Sequence, residues 1–261
     1  TIADILKIDI NKVKEETIAK EKCEDLNDYL TKFELPIKAM QTKENLKRIT
    51  HELISDLKDE NVIYAEIRFA PIKHIENLTL EEVVEAVIQG LKNEDVKTNL
   101  ILCMMRDSSY EENLKIVELA KKYLNKGVVG LDLAGAEALY KTKTFEQLFK
   151  KASKEKIPFT IHAGEADGPS SINDAISFKA SRIGHGIRAI EDEKTIKKII
   201  TENILLEICP TSNVQTNAVK DYENHPIKKL FDLGCKVSIN TDNRTVSNVT
   251  LTKEYELLNK Y

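Results

Sequence analysis

No stretch of the 261-residue sequence comes near the roughly 20 consecutive apolar residues that span a bilayer, and none reads as a charged-then-apolar leader. A membrane partner is therefore not expected. Charge of one sign is also scarce. The net charge is −4, and 39 basic and 43 acidic residues are mixed along the chain, so neither a nucleic-acid footprint nor a charged tail is expected. Only four cysteines occur, Cys23, Cys103, Cys209 and Cys235, and none forms a CxxC pair. That count excludes a disulfide framework and fits reduced thiols in a cytoplasmic protein. The ends, Thr1 and Tyr261, read as cuts in a longer chain.

What is present is a regular alternation. Hydrophobic residues make up 41% and charged residues 31%, the balance of a soluble globular protein. Short β-branched runs occupy 62–71, 99–106, 128–135, 158–165, 182–186, 204–213 and 236–243. Amphipathic stretches at 80–91, 110–124, 144–155, 172–180, 193–201 and 225–233 separate them, with Thr79 and Ser171 as expected N-caps. Strands buried on both faces and followed by helices predict a parallel sheet under helical cover. A doubly wound open sheet is the rival, but no glycine-rich phosphate loop follows the first run. Seven such units are one short of a TIM (β/α)8 barrel. The segment before Val62 is mostly helical. We expect a single barrel domain over 1–261 whose first strand lies before Thr1.

Ionisable groups collect where the strands should end, at Glu66 and Arg68, Asp132, His162 and Glu165, His185, Glu207 and Asn213, and Asp242 and Asn243. Taken singly each has an ordinary reading. His162 can be a hydrogen-bonded core residue, His185 part of a tight turn, Asp242 a helix cap and Glu165 a solvated loop residue. Taken together, four strand ends bearing His, Glu, His and Asp point to one mouth. Metal-assisted hydrolysis fits that set. Zinc takes imidazole and carboxylate ligands, leaves a position open and lowers the pKa of a water there. His162 and Asp242 suit ligation, His185 suits orientation of the water and a base role, and Glu165 suits proton donation. Two protein ligands are too few for such a site. His51, His74 and His225 are expected at the surface.

The stretches "GLDLAG", "IHAGEA", "RIGHG", "LEICPTSNVQT" and "SINTDN", in this order and spacing, resemble the adenosine deaminase family of the amidohydrolase superfamily; "YAEIRFAP" and "LNDYLTKF" are similar to it as well. The resemblance implies a (β/α)8 barrel with one Zn2+ and hydrolytic conversion of a purine nucleoside, adenosine, to inosine and ammonia. It implies His162 and Asp242 as metal ligands, Glu165 as the acid at purine N1 and His185 as the residue that positions and helps deprotonate the attacking water. It further implies that the Gly135 N–H and Asn243 hold the purine, and that Leu26, Tyr29, Leu30 and Phe33 form an apolar lid. Three departures accompany it. The family's HxH strand and its last helices lie outside this sequence, so low activity is expected of residues 1–261 alone. Asn243 stands where a second aspartate is frequent, and its amide can also donate. Ala136 stands where an acid is common. Related adenine, aminodeoxyfutalosine and AMP-type deaminases, and a non-catalytic nucleoside-binding relative, are the alternatives. Oligomeric state is not legible.

Overall fold

The β-branched runs form seven strands in the computed structural model, which describes residues 1–92 and 96–261. They are β1 (Tyr64–Phe69), β2 (Lys97–Met105), β3 (Val128–Ala134), β4 (Thr160–Ala163), β5 (Arg182–His185), β6 (Leu205–Ile208) and β7 (Lys236–Ile239). All pair in parallel and in chain order, as two ladders, β1-β2-β3 and β4-β5-β6-β7. The ladders join at one parallel bridge, Leu131 to Phe159, where the Leu131 N–H donates to the Pro158 carbonyl at 3.0 Å. Gly130 makes that joint possible. A Cβ there would stand 2.9 Å from the Pro158 oxygen, closer than side chains tolerate.

Short connections that carry helices return each strand to the same end, so the strand termini 105, 134, 163, 185, 208 and 239 share one rim. The helices begin where local chemistry dictates. Thr79 and Ser109 each accept from the third helical N–H while Glu82 and Glu112 reach back, two reciprocal caps. Ser171 is not a cap. Pro169, with its φ preset and no N–H to leave unpaired, starts that helix three residues earlier than expected, over Pro169–Ser177. Pro210 likewise ends the run expected to extend to Asn213, so β6 stops at Ile208 and a short helix follows.

Leu100, Leu102, Leu131, Leu133, Ile161 and Leu206 are fully buried and form the centre of one continuous apolar cluster. Burying side chains of this size is worth about 1.5–3 kcal/mol each. The inward positions at the middle of the sheet are instead ionic. Arg182 meets Glu66 at 2.6 Å and Glu207 at 3.3 Å, while Arg68 meets Glu207 at 2.8 Å and Asp132 at 3.0 Å. These contacts tie β1 to β3, β5 and β6, so the sheet curls on itself as a barrel does. No ladder joins β7 to β1 among the described residues. The segment after β7 still approaches the loop before β1, because Glu60 pairs with Arg244 and accepts from the Thr252 N–H at 3.0 Å. No helix among the described residues is long and apolar enough to cross a membrane.

Candidate active site

His162 is the third residue of β4, and Glu165 follows two residues after that strand. Gly184 on β5 leaves room for the imidazole, since a Cβ there would lie 3.2 Å from His162 Cγ. His162 Nδ1 stands 2.8 Å from Asp132 Oδ2. Burial alone would lower the His162 pKa, but the Asp132 carboxylate raises it. Burial likewise opposes ionisation of Asp132, yet His162 and Arg68 hold its carboxyl far below the usual range.

His185 ends β5 and Asp242 lies three residues beyond β7, and both adopt left-handed backbone, with φ of 61° and 54°. Such conformations cost non-glycine residues about 1–3 kcal/mol and cluster where function over-determines them. Glu165 and Asp242 both approach the His185 imidazole at Nε2. His185 Nε2 is 3.5 Å from Glu165 Oε2 and 4.0 Å from Asp242 Oδ2, and its ring lies 5.2 Å from that of His162. Ser212 holds Asp242 by donating to Oδ2 at 2.7 Å, and Thr216 holds Glu165 by donating to Oε1 at 3.0 Å. Glu165 is buried rather than solvated. Burial and the nearby Asp242 charge raise its pKa, so it favours the protonated form more than an ordinary glutamate does.

The turn from Gly164 to Asp167 is fixed by a residue that carried no signal in the sequence. Glu137 accepts from the N–H groups of Gly164, Glu165, Ala166 and Asp167 at 2.6, 3.0, 2.8 and 3.0 Å, and from Ser171 Oγ at 2.6 Å. From the other side Arg106 Nη2 donates to the His162 carbonyl at 2.7 Å and to Thr142 Oγ1 at 2.9 Å, and Thr142 contacts Ser171 at 2.7 Å. Whatever the alanine at 136 removes, the adjacent acid is fully engaged.

The remaining expected residues divide. Gly135 follows β3 with φ 106°. Asn243 caps the helix Arg244–Ser247 through Oδ1, which accepts from the Thr245 and Val246 N–H groups, so its amide nitrogen takes no part in the cap. Asp242 does not cap. Leu26 lines a cavity of about 220 Å³ together with Glu165, Glu137 and Arg188. Tyr29 is buried in a separate cluster with Ala19, Cys23 and Val246, bonded to Ser247 at 2.8 Å, and Phe33 packs edge-on against it. Leu30 is half-buried beside them. His51 is exposed as expected. His74 and His225 are not surface residues. Both are buried, and burial lowers each pKa to about 4, His74 bonding the Met40 carbonyl and His225 reaching Asn213.

The donors present suit a borderline divalent ion. Donor atoms of His185, Cys209 and Asp242 lie within 4.8 Å of one another, and the His162 ring lies 5.2 Å from that of His185. Burial pushes the Cys209 thiol well up, so it stays protonated and is the weakest candidate of the four.

The family model described as adenosine deaminase matches residues 4–261. The chain belongs to the adenosine deaminase family. It is 43% identical over 256 residues to the adenosine deaminase of Clostridium perfringens, covering 96% of this chain and 77% of that protein. Adenosine deaminases are metal-dependent hydrolases acting on adenosine-like purines, and this chain is a hydrolytic deaminase of that family. Among solved structures it is similar to the adenine deaminase of Arthrobacter aurescens, with a TM-score of 0.86, 26% identity and coverage of 99% and 81%. Arabidopsis ADAL complexed with IMP gives 0.86, 26%, and 99% and 78%. At 20% identity, an amidohydrolase of Burkhoderia ambifaria with bound Zn shares the fold, with a TM-score of 0.87 and coverage of 97% and 72%. The fold is that of the TIM-barrel deaminases.

Proposed function

We propose that the substrate is a neutral purine nucleoside, adenosine and its 2′-deoxy form, which is hydrolysed to inosine or deoxyinosine and ammonia with Zn2+ as cofactor. One observation carries this reading: a buried Glu165, whose pKa burial raises, stands 3.5 Å from His185, which in turn stands 4.0 Å from Asp242. His162 and Asp242 are the residues of this chain that would hold the metal. When bound, zinc polarises a water enough for it to lose a proton near neutral pH. Two ligands do not close a tetrahedral site, so further donors complete it in the working enzyme.

The chain's own residues do the rest. Glu165 hands a proton to ring N1, which draws electron density away from C6 as water adds there. His185 fixes the direction of attack. The Gly135 N–H and the Asn243 amide grip the purine ring, while Leu26 and the segment around Tyr29, Leu30 and Phe33 shut out solvent.

The cavity mouth favours a nucleoside over a nucleotide. Glu24 and Asp25 line it, and Arg188, the one cation among its described lining residues, is engaged with Glu191 at 3.0 Å. A phosphate at that mouth would meet like charge. Purine salvage in a cytoplasm is the setting this favours, and the four unpaired, buried cysteines suit it.

The test offers adenosine, 2′-deoxyadenosine, adenine and AMP, singly and in competition, to the full-length zinc-loaded protein while the ultraviolet absorbance change is followed. Adenosine should dominate. Preference for adenine or AMP would transfer the reading to the corresponding relatives, and tight nucleoside binding without turnover would make it a binding protein. Residues 1–261 alone should bind zinc weakly; stoichiometric tight zinc with brisk turnover would defeat the need for additional ligands.

A further inference from the structure

The hydrogen bonds behind His185 run in one direction only. A backbone N–H can donate and never accept, and the Ile227 N–H points at His225 Nδ1, 3.2 Å away. Nδ1 of His225 is therefore the acceptor, and the ring's single proton in the neutral form sits on Nε2. That nitrogen faces Asn213 Oδ1 at 3.3 Å, which accepts it. With its oxygen so committed, Asn213 presents its amide Nδ2 to His185 Nδ1 at 2.9 Å. Nδ1 of His185 must then be the acceptor as well. Neutral His185 carries its proton on Nε2, the nitrogen that faces Glu165 and Asp242. The Asp242 carboxylate, whose Oδ2 lies 4.0 Å away, would repel a bare lone pair and welcome an N–H, so the front of the ring agrees with the back. Burial keeps His225 neutral, with its pKa lowered to about 4, which is the state that the chain of bonds needs.

We infer that His225 and Asn213 are positioning residues that lock His185 as the Nε2–H tautomer, so that His185 meets the attacking water as a hydrogen-bond donor rather than as its base. The inference rests on the deaminase reading above. It assigns the water's proton to the Asp242 carboxylate, 4.0 Å from His185 Nε2, and gives His185 the task of orienting an oxygen that becomes negative. Neither His225 nor Asn213 needs to touch the substrate.

Long-range nitrogen–proton NMR of the full-length, zinc-loaded protein tests the tautomer directly. His185 should give a protonated, pyrrole-type Nε2 and a pyridine-type Nδ1; the reverse pattern would overturn the inference whatever the activity. N213D converts the donor behind His185 into a carboxylate, which can only accept and so draws the proton to Nδ1. It should lower kcat by about 100-fold, the scale of losing one oriented donor, with KM little changed. A flipped ring with kcat within about threefold of the parent, inside the scatter of that scale, would sink the donor role. Because N213D buries a charge and can fail to fold, H225L and H225Q form a second pair. The glutamine amide can still donate to Asn213 Oδ1 and should restore kcat and the His185 spectrum, whereas leucine should do neither. Equal rescue by leucine would reduce His225 to packing. Should the parent show the Nε2–H tautomer yet turn over no adenosine, the deaminase reading fails and the tautomer stands.

Discussion

Arg68 Nη2 lies 2.8 Å from Glu207 Oε2, so a residue of β1 is paired with one on β6 across the interior. The same guanidinium reaches Asp132 on β3 at 3.0 Å. Asp132 in turn touches His162, which puts the ionic centre of the barrel directly beneath the candidate metal site.

That pairing has a stability consequence with a definite sign. Burial would raise the Glu207 pKa, but Arg68 and Arg182 lower it, and Asp132 is lowered too. In the unfolded chain both carboxyls take up protons near pH 4, while in the folded one they stay charged below that. The unfolded state then binds more protons, so stability is present at neutral pH and falls as the pH drops below about 5. R68M leaves two buried carboxylates without their shared cation and should cost about 3–5 kcal/mol at pH 7. Urea titrations at pH 7 and pH 4 check both statements, and the loss from R68M should shrink at the lower pH.

A second outcome concerns Glu137. Five donors converge on its two oxygens, and glutamine would turn an NH2 group toward some of them. We expect E137Q to destabilise the protein by about 1–3 kcal/mol, the cost of unsatisfied buried groups. Amide exchange over 160–168 should quicken more than elsewhere, and kcat should fall more than KM rises, because Glu165 rides on that turn. S171A removes one donor and should do the same more weakly.

Glu137 also marks the limit of what residue patterns reveal. The seven strands were legible because β-branched runs alternate with amphipathic helices, and His162, Glu165, His185 and Asp242 because they recur where such runs end. Glu137 sits in a small-residue loop and binds backbone amides, which leave no trace in side-chain identity. His225 looked peripheral because it falls outside every strand-end run, and only the fold brings it to Asn213. Cys209 read as one scattered thiol among four, and only the fold brings it beside Asp242. Ser171 carried the right chemistry for a cap, but Pro169 upstream decided where the helix begins.

For Glu165 the expected outcome separates chemistry from binding. E165Q keeps size and a hydrogen-bond donor but cannot deliver a proton. Its kcat on adenosine should fall by about 10²–10⁴-fold, the usual worth of a general acid, while the affinity for inosine stays close to that of the parent. A parallel loss of inosine binding would instead assign Glu165 to holding the purine.

Glu254 behaves in the opposite sense from the barrel carboxylates. It is wholly buried on the helix Leu251–Lys260, and although it accepts from the Thr211 N–H at 3.2 Å through both oxygens, burial raises its pKa to about 7. The unfolded carboxyl releases its proton near pH 4.3, so between that value and about 7 the folded state holds the extra proton. Stability from this group is therefore complete below about pH 4 and is lost as pH rises to 7. E254Q mimics the protonated form. It should stabilise the protein above pH 7 by up to about 3 kcal/mol, with the gain vanishing toward pH 4.5. Since Thr211 precedes Ser212, the residue that holds Asp242, the same variant should also make zinc affinity less sensitive to pH over this interval. Thermal melts of parent and variant at pH 5 and pH 8 decide the first point, and an equal shift at both pH values would contradict it.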